Sequence, residues 1–294
     1  MAKFDSYQKN QIMEKRILLP TDFSRNALNA ARMAMDLFAG TKCDFYLLHV
    51  FQVSGYSIDS LMVPEPGEAK YEAARAEADI NLKKLLEILK LHGKNPEHTF
   101  HKLSSYNSLV YGIKAVIAKQ DIDLIVMGTR GATDIQSIIF GTNTVHVMEE
   151  ITECPVLAVP EDYPYKPPRE IVFPTDFKVA YKRRELNYLL EIAKEHGSVI
   201  RVLHIKDETE LSREQKINKE LLESILQGYN HEFHVLEDLK VHKGIGAFVA
   251  SRNSDLIVFM NRKHSYLAKV FSEPLVKELG YHYQIPILEL NATS

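Results

Sequence analysis

Gly128, Gly131, Gly141, Thr142 and Thr144, with Asn143 between the threonines, are the residues of this chain whose types and spacing best suit chemistry. Ahead of them, Leu124-Ile125-Val126-Met127 is an apolar run that predicts a buried strand. Behind them, Val145 to Ile151 predicts a short helix. A strand that ends in glycines and feeds a helix can hold a phosphate. Glycine lets the backbone approach the anion, and amides at the helix N-terminus point at it. The hydroxyls of Thr142 and Thr144 add donors. The spacing is Gly, two residues, Gly, nine residues, Gly, Thr, which is neither G-x-x-x-x-G-K-[ST] nor G-x-G-x-x-G.

The elements that position this loop follow from the pattern around it. Residues 1 to about 13 read as a loose arm. Arg16 to Ser24 predicts a short buried strand ending in a turn, with Ser24 as the N-cap of a helix over Arg25 to Ala39. Phe45 to Val50 is a second strand, and 51 to about 66 a loop with Gly55, Pro64 and Pro66. A long helix, charged first and leucine-rich later, runs from Glu68 to Leu91. A third strand covers His98 to Leu103, and Asn107 caps a helix to Lys119. Pro155 to Pro160 is a last strand flanked by prolines, which suits an edge or an interface. Alternating strands and helices predict an α/β fold with a parallel sheet covered on both faces. Ligands of such sheets sit beyond the C-terminal strand ends, where Asp22, Val50 and Gly128 all fall.

Residues 161–170, EDYPYKPPRE, read as a linker, and the pattern then restarts. Ile171 to Phe177 repeats Ile17 to Phe23; Val202 to Ile205 repeats Leu47 to Val50; His231 to His234 repeats His98 to His101; Asp255 to Val258 repeats Asp123 to Val126; Ile285 to Leu288 answers Cys154 to Leu157. The chain therefore reads as a tandem duplication. The second copy has Met260-Asn261-Arg262-Lys263-His264 and Phe271-Ser272-Glu273-Pro274 where the first has its glycines. Side chains there crowd a phosphate, and Pro274 offers no amide, so the second copy loses triphosphate binding while keeping Asp176.

With 294 residues, 45% hydrophobic and 26% charged, the composition is that of an ordinary globular protein of two domains. A net charge of -3 gives no basic face for nucleic acid. No apolar run reaches the roughly 18 residues of a membrane helix. The polar N-terminus lacks the core of a secretory signal, so the expected location is cytoplasmic. Cys43 and Cys154 form no metal or redox motif and read as buried small hydrophobes. His98 and His101, like His231 and His234, stand three apart on strands and point to opposite faces. A weak metal site among His231, His234, His242 and His264 is left open. His49 and His204 end matching strands and read as structural.

The motifs PTDFS at 20–24, LLHV at 47–50, DLIVMGTRG at 123–131, GTNT at 141–144 and CPVLAVP at 154–160 resemble the universal stress protein (UspA-like) family. The resemblance covers about 14–160 and, more weakly, 170–290. It implies two tandem Rossmann-like domains of the adenine nucleotide alpha hydrolase-like (HUP) type, 14–160 and 170–291, each with a five-stranded parallel sheet. The two halves would pair through strands 156–159 and 287–290 as an intramolecular pseudo-dimer, with a homodimer left open. It also implies ATP, with or without Mg²⁺, in the first half. Asp22 would contact ribose or adenine, and Val50 would hold adenine through its backbone. Met127 would line the adenine pocket, and Gly128 and Gly131 would admit the chain beside ribose and phosphates. Gly141, Thr142, Asn143 and Thr144 would bind phosphate oxygens. The guanidinium of Arg130 suits phosphate or remains a solvated loop cation. Asp22 has a second reading, bracing the turn before the helix, as Asp176 would.

No HExxH, paired CxxC or G-x-S-x-G constellation appears. An adenylating enzyme of the PP-loop kind requires a glycine-rich loop where Pro20 to Ser24 stand. Three functions stay open: an ATP-binding stress-response regulator acting on an unidentified protein partner; a slow ATPase or autokinase using Thr142 or Thr144; and a nucleotide-free interaction protein.

Overall fold

A computed structural model describes residues 14–53, 65–129, 141–206, 210–237, 239–261 and 285–292. The first half runs β1 (Lys15–Pro20), α1 (Arg25–Leu37), β2 (Cys43–Phe51), α2 (Ala69–His92), β3 (His98–Tyr106), α3 (Leu109–Gln120), β4 (Leu124–Gly128), α4 (Thr142–Glu150) and β5 (Val156–Val159). The second runs β6 (Glu170–Pro174), α5 (Asn187–His196), β7 (Val199–Lys206), α6 (Arg213–Leu226), β8 (His231–Glu237), α7 (Val241–Arg252), β9 (Leu256–Asn261) and β10 (Ile287–Asn291). This is the expected α/β alternation.

The strands form one sheet, in the order β3-β2-β1-β4-β5-β10-β9-β6-β7-β8. Pairing is parallel within each run of five and antiparallel only where β5 meets β10, with Leu157 opposite Leu288. The proline-flanked strand is therefore an interface between the two runs. Alternate strand residues enter two cores. One is built from Ile17, Phe45, Leu157, Phe173 and Leu288 with α1, α2, α5 and α6; the other from Leu18, Leu48, Ile125 and Val172 with α3, α4 and α7. The antiparallel joint thus places matching helices of the two runs on the same face.

Several boundaries differ from expectation for identifiable reasons. Ser24 caps α1 as expected, its side chain accepting from the Ala27 amide. The N-cap of α3 is Ser108; the Asn107 side chain instead accepts from the Ser108 amide, one residue away. Residues 161–170 are no free spacer. Tyr163 is buried, Tyr165 packs on the same core, and Asn29 donates to the carbonyls of Pro160 and Tyr163. The two histidine-bearing strands also sit out of step. Phe45 faces Phe100, whereas its counterpart Ile200 faces His231, so the similar tetrapeptides are offset by two residues. An even offset keeps every side chain on its own face. His98 lies edge-on to Phe45, while His101 stacks on Tyr46 of the opposite face; His231 and His234 divide likewise between Phe233 and Phe248.

Candidate functional site

A cleft opens at the C-terminal ends of β1, β2 and β4. Its walls are Pro20, Thr21 and Asp22 after β1, His49 and Val50 of β2, and Met127 and Gly128 of β4. Leu109 of α3, Ala27 of α1, and Asn143 and Thr144 of α4 complete it. A second opening, lined by Gln52, Asn107, Ser108 and His146, shares Val50, Leu109 and Asn143 with it.

The turn after β1 is fixed by its own side chains. The Thr21 hydroxyl accepts from the Phe23 amide at 3.0 Å and the Asp22 carboxylate from the Ser24 amide at 3.0 Å. These bonds hold Phe23 at φ 63°, the left-handed region that a bulky residue seldom enters. His49 Nδ1 donates to the Thr21 carbonyl at 2.8 Å, and its ring lies 4.4 Å from that of Phe23. The second half repeats the device. Thr175 accepts from Phe177 (φ 56°), Asp176 from Lys178, and His204 donates to the Thr175 carbonyl. Both aspartates therefore brace a turn. Asp22 is exposed and also lines the cleft.

Gly128 is required by a close approach. A Cβ there would fall 2.6 Å from Cγ of Asn26, a buried residue of α1. Helix α4 begins at Thr142, three residues before the apolar run suggests, with Gly141 as an N-cap that has no side chain to offer. The Gly141 carbonyl accepts from the amides of Thr144 and Val145, and the Gly141 amide donates to the Thr129 carbonyl. Thr142 and Asn143 are exposed at this end. Thr144 is different: it is buried, and its hydroxyl donates to the Gly128 carbonyl at 2.8 Å. That bond ties the end of β4 to the start of α4, so this hydroxyl serves the loop's geometry.

The structure thus gathers Asp22, Val50, Met127, Gly128, Asn143 and Thr144 around one cleft, with Gly141 and Thr142 opening the adjoining helix. Arg130 and Gly131 lie outside the described residues, as does most of the matching segment of the second half, His264 included. Two contributors were missed from sequence. Asn26 looked like an ordinary helix residue. Gly112 lets α3 approach the strand end, since a Cβ there would lie 2.8 Å from Val50 Cγ1. Its signal was present: Gly244 of α7 stands in the same relation to Ile205. Cys43 and Cys154 are buried, which pushes each thiol up to about 12 and away from nucleophilic use. Among the described residues, no group of three or more His, Cys, Asp or Glu could hold a metal. No described helix is long and apolar enough to cross a membrane.

Comparison with known proteins agrees with this architecture. The model of the universal stress protein family matches residues 13–160, just over half of the chain. A universal stress protein of Methanocaldococcus jannaschii is 28% identical over 156 residues, 49% of this chain and 81% of that protein. The crystal structure of a universal stress protein from Archaeoglobus fulgidus superposes with a TM-score of 0.68 at 17% identity, covering 95% of this chain and 97% of that one. One from Pseudomonas aeruginosa gives 0.57 at 14% identity, covering 94% and 93%.

Proposed function

The chain belongs to the universal stress protein family, and from that premise we propose that its first half is an adenine-nucleotide-binding module that regulates a protein partner. The observation that carries the reading is the convergence at the cleft. A carboxylate (Asp22), a strand-end backbone (Val50), an apolar wall (Met127), a glycine and the uncapped start of α4 meet around one opening. A helix N-terminus without a side-chain cap leaves amides to meet an anion, and its dipole favours negative charge. In this reading Asp22 accepts from ribose hydroxyls, Val50 and Met127 hold the base, and Gly141, Thr142 and Asn143 take phosphate oxygens. Gly131 and Arg130 complete the phosphate side from the sequence motif. Residues 14–160 form the nucleotide unit, and 170–291 a unit that has lost its glycines. Binding, with Mg²⁺ on the triphosphate, biases how the protein meets its partner.

The test is calorimetric titration of Mg²⁺-ATP into the chain and into a Gly131→Val, Gly141→Val double variant. One site per chain, lost in the variant, is expected. Two sites would overturn the asymmetry between the halves. No binding to folded protein would remove the nucleotide reading and leave an interaction module.

A further inference from the structure

The two halves differ where α2 and α6 cover the ends of their sheets. In the first half, the space between the ends of β2 and β3 and the start of α2 is filled by the chain itself. Phe51, Tyr71 and Tyr106 cluster there, their ring centroids 5.6 to 6.1 Å apart, over buried Val53 and Ala78. The ladder registers identify the matching positions: Phe51 pairs with Tyr106, and Lys206 pairs with Glu237. Two aromatic positions of the first half are therefore lysine and glutamate in the second. The helix that supplies Tyr71 has 24 residues, whereas α6 has only 14 and starts at Arg213.

Beside these positions in the second half, with Glu237 at its edge, lies a cavity of about 460 Å³, lined by Phe177, Leu211, Phe233 and Val235, with His204, Lys216 and Lys219 together with the carboxylates of Glu210 and Glu237 among its polar walls. That volume falls within the roughly 300–1,000 Å³ of small-molecule sites. The cavity sits against the α6 face of the sheet and shares no residue with the first-half cleft. We propose that it binds a small planar aromatic molecule bearing a carboxylate, whose ring packs on Phe177 and Phe233 beside the positions that Phe51 and Tyr106 fill in the first half.

The walls suit that ligand. The rings of Phe177 and Phe233 lie 6.2 Å apart, tilted by 35°, and give an apolar floor. Lys219 lies 5.0 Å above the Phe233 ring, and Lys216 stands one turn before it on the same helix. The ion pair of Lys216 with Glu210, at 3.7 Å between two exposed side chains, is weak, so a ligand carboxylate can compete for it. His204 donates from Nδ1 to the Thr175 carbonyl at 2.9 Å, which fixes its ring in the cavity wall. The site is also held in shape. Buried Asn218 donates to the Phe177 carbonyl and Gln215 to the Asp176 carbonyl, each at 2.8 Å, tying α6 to the turn that carries the floor.

The chain has no tryptophan, so the fluorescence of 2-naphthoate, excited to the red of tyrosine absorption, can be followed in its presence without competing tryptophan emission. Titration of 2-naphthoate into the full chain should saturate at one site. Its affinity should fall about tenfold or more in Lys219→Gln, and likewise in Leu211→Tyr, which narrows the cavity without adding a tryptophan. The neutral analogue 2-naphthalenemethanol should bind about tenfold more weakly than the acid. The Gly131→Val, Gly141→Val variant should keep naphthoate binding, which separates this site from the nucleotide reading. A thermal melt verifies that each variant is folded. Absence of saturable binding at millimolar ligand would overturn the proposal. So would affinity that is indifferent to Lys219→Gln, or equal affinity for the neutral analogue.

Discussion

Two threonines two positions apart in the glycine loop have opposite fates, and only geometry separates them. Thr142 is exposed at the start of α4, while Thr144 is buried with its hydroxyl on the Gly128 carbonyl. Thr144→Val keeps the shape but leaves that carbonyl unsatisfied, which should cost about 1–3 kcal/mol. Thr142→Val should leave the melting temperature within error, because its hydroxyl faces solvent. Paired thermal melts of the two variants check this; equal losses would show that the buried bond does not hold the loop. Residue-scale electrostatics give a second expectation at His234. Burial, followed by Arg252 and Arg201, holds its imidazolium below the usual histidine range, against the opposing pull of Glu232 and Glu170. The unfolded chain therefore takes up this proton near pH 6.5, whereas the folded chain resists it. Stability from this group is complete above pH 6.5 and is lost as pH falls toward the depressed folded value. His234→Gln should flatten that part of the stability-pH curve, measured by urea unfolding from pH 7.5 to 5; an unchanged slope would assign it to other groups.

At the scale of elements, most of the lining of the candidate cleft was legible because its signals are local. Ser24 capping α1, the strand ends at or next to Pro20, Val50 and Gly128, and the second copy of the strand motifs are all written in short stretches. What escaped depends on partners distant in the chain. Whether a tetrapeptide such as His-Thr-Phe-His faces one residue or another two positions along is set by the neighbouring strand, and the two halves chose differently. The early start of α4 follows from Gly141 serving as N-cap, where the apolar periodicity behind it carries no weight. Asn26 and Gly112 matter only because α1 and α3 approach strands whose sequences lie elsewhere. The tyrosines of 161–170 were hidden by prolines that mark a linker, yet burial drives Tyr165 up to about 12 and places Tyr163 against the core.

The whole molecule depends on the short joint where β5 and β10 run antiparallel, because it turns two five-stranded sheets into one. Several contacts reinforce it. Lys15, itself buried, meets Glu191 at 2.6 Å and lies 4.4 Å over the Tyr188 ring, which links β1 of the first half to α5 of the second. Asn291 donates to the Cys154 carbonyl at 2.6 Å, and Tyr163 to the carbonyl of Asp255. One core cluster contains Leu157, Ile171 and Leu288 together, so the apolar interior passes through the joint without a break. A shared core of this kind makes the halves unfold as one unit, since exposing either face strips its neighbour. Leu288→Ala, at a fully buried position opposite Leu157, should cost about 2–5 kcal/mol. That loss should appear as a lower midpoint of a single calorimetric transition. Amide exchange in β1 and in β6 should accelerate together, although only β10 was altered. If β6 alone loosened and the transition split in two, the halves would be separately stable bodies and the joint only an adhesive contact between them.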